Sequence, residues 1–498
     1  MHNNLEDLTK HPVFHYFVEI SNIPRGSGNE KEISDYLVRF AHERNLEVIQ
    51  DQALNVIIKK AATSGYENVP TVIIQGHMDM VCEKNKGNAH DFEKDPLQLR
   101  IIGDMLYATD TTLGADNGVA VAYALALLDS QDIPHPSLEV LITTEEETTM
   151  RGAHEINPVH IDGKILVNID SEEDRKLLVS SAGGVIVTQT LPISWEQAPK
   201  QVVTCCISIS GLYGGHSGID IDKGRGNANK LLGRVLYDLS SELPYSIQKI
   251  SGGLKVNAIP REAEAIIQLP SNAIKKLTEK IKNWNSILKH EFRVSDSNVC
   301  IEIEQIDTTS AKVFSKATMD KAIAALMVIP NGVQSMSRAL EGLVESSTNL
   351  GVVTTSATEI KFESESRSSI KSLKYAMVHQ ARIIAEILGG ELSTDSDYPE
   401  WPYRPESPIR KLFEEAYKEK YGTDIEIITV HAGIECGILL EKIPDLDAIS
   451  IGPDMYCVHT PNEHLSISST TENWEYFLYV LKKTKNFNWQ RERVNVIS

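Results

Sequence analysis

The chain is 498 residues long, 41% hydrophobic and 24% charged, an ordinary globular composition with room for about two to four domains. A formal net charge of -20 argues against nucleic acid or an anionic membrane surface as a partner, since both are held by basic patches. Six cysteines in so long a chain, with Cys205 and Cys206 adjacent and no CxxC pair, argue against a disulfide framework and a structural zinc module, and they suit a reduced, cytoplasmic home. The amino-terminal stretch MHNNLEDLTKHPVFHYF has no basic segment leading into an apolar one, so it does not read as a signal peptide. No apolar run is long enough to span a bilayer.

Residues 3–19 and 30–44 carry helical periodicity, and IPRGSGNE between them offers Ser27 or Asn29 as a cap. Residues 47–60 alternate as strands. TVIIQGHMDM, residues 71–80, reads as a buried strand that stops at Gly76 and presents His77 and Asp79. In an open α/β sheet ligands gather beyond the carboxyl ends of the strands, where these two fall. Imidazole is the commonest metal-ligand side chain, and a carboxylate two residues on reaches its other ring nitrogen and fixes the tautomer. A lone histidine after a strand is more often structural or solvated than a ligand, so the neighbouring elements decide.

Residues 88–110 are a polar excursion with strand fragments. In TTLGADNGVAVAYALALLD a turn over 113–118 leads into a helix over 119–129, with Asp116 and Asn117 at its mouth. A helix cap is the plain alternative for Asp116. SLEVLITT, residues 137–144, is a second buried strand and ends in Glu145, Glu146 and Glu147, three carboxylates that need cations or open water. KILVNI, residues 164–169, is a third, and it delivers Asp170. Four transitions thus bring His77, Asp116, Glu146 with Glu147, and Asp170 to one kind of place, the rim where parallel strands end. Oxygen and nitrogen donors without thiolate suit zinc, manganese or cobalt.

After SSAGG, residues 180–184, the texture changes. Residues 202–210, 254–259, 263–269 and 299–306 alternate like half-exposed antiparallel strands, separated by helical stretches over 227–240, 273–288 and 311–327. This is the pattern of an inserted α+β domain, closed by a strand over 354–363 and a helix over 370–388. GGELSTDSDYPEWPYRPESP is polar and Pro-rich and reads as the linker back. Helices over 408–421, around 437–442 and over 472–485, with strands over 425–430 and 448–451, then resume the α/β texture. The predicted architecture is an α/β catalytic domain with a central, mostly parallel sheet flanked by helices, split between 1–184 and 397–498 around an α+β lid over 185–396.

The motifs GHMDMV (76–81), TLGADNG (112–118), TEEE (144–147), NIDSEE (168–173), GLYGGHSGIDI (211–221), GNANK (226–230), VNAIPRE (256–262), HAGIECG (431–437) and GPDMYCVHTPNE (452–463) together resemble the M20 metallopeptidases along nearly the whole chain. The resemblance implies two zinc ions per subunit, with cobalt or manganese as substitutes, bridged by Asp116 across a cis Asp116–Asn117 peptide. His77 and Asp170 would complete one ion's ligands, and Glu147 and His459 the other's. Asp79 would orient His77, and Glu146 would be the catalytic base. The family pattern has a pair of glutamates where this chain has three. Met150-Arg151-Gly152-Ala153 matches the family's M-x-G-A and makes Glu146 and Glu147 the pair.

The same resemblance implies that His216 stabilises the oxyanion, that Arg367 in FESESRSS takes the substrate carboxylate, that Asn257 contacts substrate or oxyanion, and that Gly433 and Glu435 contact substrate. His431 is read as structural. Closure of the lid would bring His216 and Arg367 over the metals, and a homodimer would form through the lid. The activity implied is hydrolysis of small unblocked dipeptides, Xaa-His included. Another hydrolase of the family (aminoacylase, tripeptidase or deacylase) is the enzyme alternative, and a metal-binding scaffold without turnover is the non-enzyme one.

Overall fold

The computed structural model describes residues 5–307 and 310–489. Asn3 and Asn4, where the first helical stretch was expected to begin, lie outside the described residues. The chain divides into two compact units, one of Met1–Ser180, Tyr403–Thr429 and Ile434–Ser498, the other of Ser181–Pro402 with Val430–Gly433.

The first unit is built on an eight-stranded sheet in the order Glu47–Gln50, Val56–Lys60, Leu138–Thr143, Val72–His77, Ile165–Asn168, Asp447–Ser450, Lys176–Ser181 and Glu426–Val430. The four central strands, from Leu138–Thr143 to Asp447–Ser450, pair parallel. The pairs flanking them are antiparallel, so the sheet is less parallel than the sequence suggests. The central strands Val72–His77 and Leu138–Thr143 are buried at every position, the reason they read as unbroken apolar runs. Helix Ala115–Asp129 is buried from Ala115 to Leu128 except at Asp116. It packs between helix Pro12–Ile20 and strand Val72–His77. Gly76 makes that approach feasible, because a Cβ there would lie 2.3 Å from Asn117 Oδ1 and 2.4 Å from the Ala120 methyl.

The second unit carries a nine-stranded antiparallel sheet in the order Cys300–Ile306, Val202–Ser210, Ala263–Pro270, Ser246–Gly252, Val344–Thr355, Glu359–Ser368, Gly183–Pro192 and Glu391–Tyr398, with Gly332–Met336 also pairing Val344–Thr355. Its core includes Leu232, Leu236 and Leu239 of helix Ala228–Glu242, Leu277 and Ile281 of Ile274–Glu291, and Ala322 and Leu326 of Lys316–Val328.

Several expectations are corrected. The polar segment read as a linker contains the strand Glu391–Tyr398, which among the described residues pairs with Gly183–Pro192 alone and so forms an edge of the sheet. Most of that strand is exposed, so its side chains stay polar and alternation cannot reveal it. The strand expected over 254–259 shrinks to Ala258–Ile259, and Leu254 is 97% exposed. The helix expected over 311–327 is strand Lys312–Phe314 followed by helix Lys316–Val328, started by the Ser315 cap on the Thr318 N–H. The first helical stretch breaks into Leu5–Leu8 and Pro12–Ile20, because Pro12 begins a helix more readily than it continues one. Helix Lys31–Glu43 has Glu30 as its N-cap residue, without a side-chain cap bond, and neither Ser27 nor Asn29 caps it.

All six cysteines are free thiols. Among the described residues no helix is long and apolar enough to cross a membrane.

The tight fit at Gly76 gives a stability prediction. Gly76→Ala forces the strand and helix apart and should lower the unfolding free energy by about 1–3 kcal/mol. Chemical denaturation checks this, and an unchanged midpoint would contradict the packing described.

Candidate metal centre

Strand Val72–His77 delivers His77 with its Nε2 3.1 Å from Asp116 Oδ1 and 3.4 Å from Asp170 Oδ1. His459 comes from the far end of the chain and sets its Nε2 3.1 Å from Asp116 Oδ2 and 2.9 Å from Glu147 Oε2. Two triads therefore meet at one carboxylate: His77, Asp116 and Asp170, and Asp116, Glu147 and His459, each with potential ligand atoms within 4.8 Å of one another. His77, Glu146 and Glu147 form a third such group, in which Glu146 Oε2 stands 3.9 Å from His77 Nε2. Glu145 turns away to pair with Arg151 at 2.7 Å, leaving Glu146 and Glu147 as the inward pair.

Buried side chains hold this arrangement. Asp79, with no exposed surface, lies 3.3 Å from His77 Nδ1 and accepts the backbone N–H of Glu146 (3.1 Å) and Glu147 (3.3 Å) and the Ser27 hydroxyl (2.8 Å). Asn117 accepts the His77 N–H and donates to the Ile169 carbonyl, tying the His77 strand to the loop of Asp170. The Asp116–Asn117 peptide is cis, as the family resemblance implies.

Burial pushes Asp170 up to about 6 and Glu146 well above the usual carboxylate range, and neighbouring carboxylates add to both. Burial acts in the same direction on Asp116, but hydrogen bonds from His459 and His77 outweigh it and hold that group below its ordinary value. Hydrogen bonds to Asp116 and Glu147 lift His459 to about 11. Four carboxylates crowded around two imidazoles make a strongly electronegative cluster. Its nitrogen and oxygen donors, without thiolate, fit divalent zinc, manganese or cobalt.

Glu435 has a different setting from the substrate contact expected of it. Its side chain is wholly buried at the start of helix Glu435–Lys442, where it accepts hydrogen bonds from Gln75 Nε2 at 2.5 Å and Thr143 Oγ1 at 2.7 Å. Burial lifts it to about 8.

In the second unit, His216 Nδ1 accepts the backbone N–H groups of Gly218 (3.1 Å) and Ile219 (3.2 Å). A nitrogen that accepts cannot carry the hydrogen, so Nε2 carries it. Burial and the nearby Arg367 charge lower the pKa of His216, which keeps the ring neutral and leaves Nε2–H as a donor. Arg367 is 4% exposed and already engaged, 2.8 Å from Glu365 Oε1 and 2.5 Å from the Tyr398 hydroxyl. With Asn257 and Glu365 it lines a cavity of about 490 Å³. Gly433 packs against Tyr398, and a Cβ there would come 2.6 Å from the ring's Cε2. His431 Nε2 lies 2.7 Å from the Ser347 hydroxyl, and burial, Arg367 and His216 together push it down to about 3.

Sequence reasoning missed Tyr398, Arg25 and Glu463. Tyr398 lies in the polar segment taken for a linker. Arg25 is 2% exposed and donates to the carbonyls of Met78 and Gly114. Glu463 closes GPDMYCVHTPNE but faces a loop some 350 residues earlier in the chain. Nothing local marks either contact.

The family model for peptidase family M20/M25/M40 matches residues 73–483. The chain is 36% identical over 481 residues to the cytosol non-specific dipeptidase of Escherichia coli, covering 97% of this chain and 99% of that one. It superposes on the crystal structure of aminoacylhistidine dipeptidase from Vibrio alginolyticus with a TM-score of 0.90 and 37% identity, over 97% of this chain and 98% of that one. Aminopeptidase PepT from Bacillus cereus, at a TM-score of 0.54 and 15% identity over 97% and 99% of the two chains, shares the fold.

The depressed His431 has a sign that can be measured. Above the unfolded value near 6.5 the ring is neutral in both states and contributes no pH dependence. Between 6.5 and about 3 the unfolded chain binds a proton that the folded one refuses. Stability therefore falls with falling pH, by up to about 1.4 kcal/mol per pH unit. His431→Gln should flatten the slope of unfolding free energy between pH 6.5 and 4 by part or all of that amount. Equal slopes for the two proteins would contradict the assignment.

Proposed function

The chain belongs to peptidase family M20/M25/M40, a family of peptide-bond hydrolases, and from that premise we propose that it is a dinuclear zinc dipeptidase of the cytoplasm that cuts unblocked dipeptides, Xaa-His among them. The observation that carries the reading is the pair of triads sharing Asp116. Likeness over nearly the full length to two dipeptidases, one cytosolic and one named for aminoacylhistidine, supports the substrate class and the compartment.

His77, Asp116 and Asp170 would hold one zinc, and Asp116, Glu147 and His459 the other, with cobalt or manganese as substitutes. Two such ions, when bound, polarise the scissile carbonyl and lower the pKa of the attacking water from about 16 toward 7. Glu146 sits beside the ligands without being needed as one. Burial raises its proton affinity, which suits a group that takes a proton from water and passes it to the leaving amine. Asp79 orients His77 and anchors the Glu146–Glu147 backbone, so the base and a ligand stay in register.

The neutral His216, with its hydrogen on Nε2, suits an oxyanion donor. Arg367 takes the substrate carboxylate in this reading, and Asn257 contacts the substrate or the oxyanion. Arg367 needs help from its surroundings, because Glu365 already balances its charge. Gly433 offers its backbone to the substrate, and Glu435 acts from beneath through Gln75 and Thr143. A homodimer through the second unit belongs to the same proposal.

Metal content and turnover on a dipeptide panel, before and after chelation, test the reading. About two ions per chain are expected, with cleavage of free but not N-acetylated Xaa-His. Activity should vanish on chelation and return with zinc. Preference for the acetylated substrate would point to an aminoacylase-type enzyme, and bound metal without turnover to a scaffold. Glu146→Gln should keep its metal and lower kcat by about 10²–10⁴-fold. A full rate in that variant would remove Glu146 as the base.

A further inference from the structure

We propose that Glu463 is a positioning residue that fixes the His459 loop against the bridging Asp116, and so sets one of the two cation sites without touching the other. The proposal rests on the dinuclear reading above. Glu463 is 2% exposed. Its Oε2 accepts the backbone N–H groups of Leu113 (2.8 Å) and Gly114 (3.0 Å), and its Oε1 accepts that of Ala115 (2.8 Å). These are the three residues immediately before Asp116. Gly114 has a left-handed backbone and no side chain with which to cap the helix it starts. The cap comes instead from a carboxylate on the loop that carries His459.

The two ends of that loop pair with each other, Tyr456 opposite His464 in a four-stranded sheet, and Glu463 ties the span between them to the Asp116 turn. Of residues 456–463 only Glu463 is buried, and the His459 side chain is 48% exposed. A backbone bond from the Glu463 N–H to the Thr460 carbonyl closes the short turn between anchor and ligand. Bonds from backbone donors to an ionised carboxylate are short, directional and stronger than neutral ones. The Arg25 guanidinium also holds the Gly114 turn, donating to the Gly114 carbonyl at 2.5 Å and to those of Met78 (3.0 Å) and Asp79 (3.4 Å). The turn is therefore tied twice, by Arg25 to the His77 loop and by Glu463 to the His459 loop.

The two triads differ in their support. His77 ends a buried strand, and Asp170 follows the adjacent strand Ile165–Asn168, paired in register with it. His459 lies instead in the exposed span between two short paired strands, Met455–Tyr456 and His464–Ser466, and the Glu463 carboxylate ties that span to the Asp116 turn. Loss of the Glu463 contact should weaken the Asp116–Glu147–His459 site and spare the His77–Asp116–Asp170 site.

The test is zinc titration of the full-length protein with a competing chelator, resolving two affinities, together with the visible absorption of the cobalt-loaded form. In Glu463→Gln the amide nitrogen cannot accept, so at least one N–H loses its partner. One zinc affinity should fall about 10–100-fold while the other stays within twofold, and the cobalt spectrum of the weakened site should change. Glu463→Asp, which keeps the charge on a shorter arm, should fall between the two. Two unchanged affinities, or equal loss of both, would overturn the proposal. So would failure of both variants to fold in saturating zinc, since the residue would then serve folding rather than the site. A wild-type protein that holds fewer than two ions would overturn the dinuclear reading itself, a result separable from unchanged variants of a two-ion enzyme.

Discussion

Asp116 presents one carboxylate oxygen to each of two imidazoles, His77 on one side and His459 on the other, and the rest of the first unit is arranged to keep it there. A carboxylate in that position is useful only if its neighbours are fixed to within a fraction of an ångström, because two cations brought close together repel one another unless a shared anion lies between them. The sheet supplies the coarse placement. Parallel strands ending side by side bring His77, Glu146, Glu147 and Asp170 to one rim. The fine placement comes from buried groups that join one ligand loop to the next. Asp79 joins the His77 and Glu147 segments, Asn117 joins those of His77 and Asp170, Arg25 joins those of His77 and Asp116, and Glu463 joins those of Asp116 and His459.

The second unit works on hydrogen-bond geometry rather than on a crowd of charges. His216 is neutral with a defined tautomer because two backbone donors occupy its Nδ1. Arg367 is neutralised by Glu365 and steadied by Tyr398, whose ring occupies the space that a side chain at Gly433 would need. In the role proposed for Arg367, a guanidinium held in this way would present a fixed orientation to a planar carboxylate, which favours selectivity over raw attraction. Gly433 thus has a structural role beside the substrate contact proposed for it.

His77, Asp116, Glu147 and Asp170 were legible in the sequence because each follows a strand or opens a helix whose apolar pattern is plain. Val72–His77, Leu138–Thr143 and Ile165–Asn168 are buried end to end, and a buried strand announces itself by composition. His459 has no such frame, and only the family motif brought it in. What stayed hidden has a common cause. The strand Glu391–Tyr398 is an exposed edge, so its polar sequence resembles a linker. Arg25, Tyr398 and Glu463 act through partners tens to hundreds of residues away, and long-range pairing of that kind leaves no periodic trace. Glu435 shows the limit of a motif read as a unit, since its place in HAGIECG suggested a pocket wall while its side chain is sealed beneath Gln75 and Thr143.

Diffraction from zinc-loaded crystals at the zinc absorption edge tests the central claim most directly. Two anomalous peaks per chain are expected, about 3.5–4 Å apart, with Asp116 touching both. His77 and Asp170 should lie on one and Glu147 and His459 on the other. A single peak, or two peaks that do not share Asp116, would contradict the account.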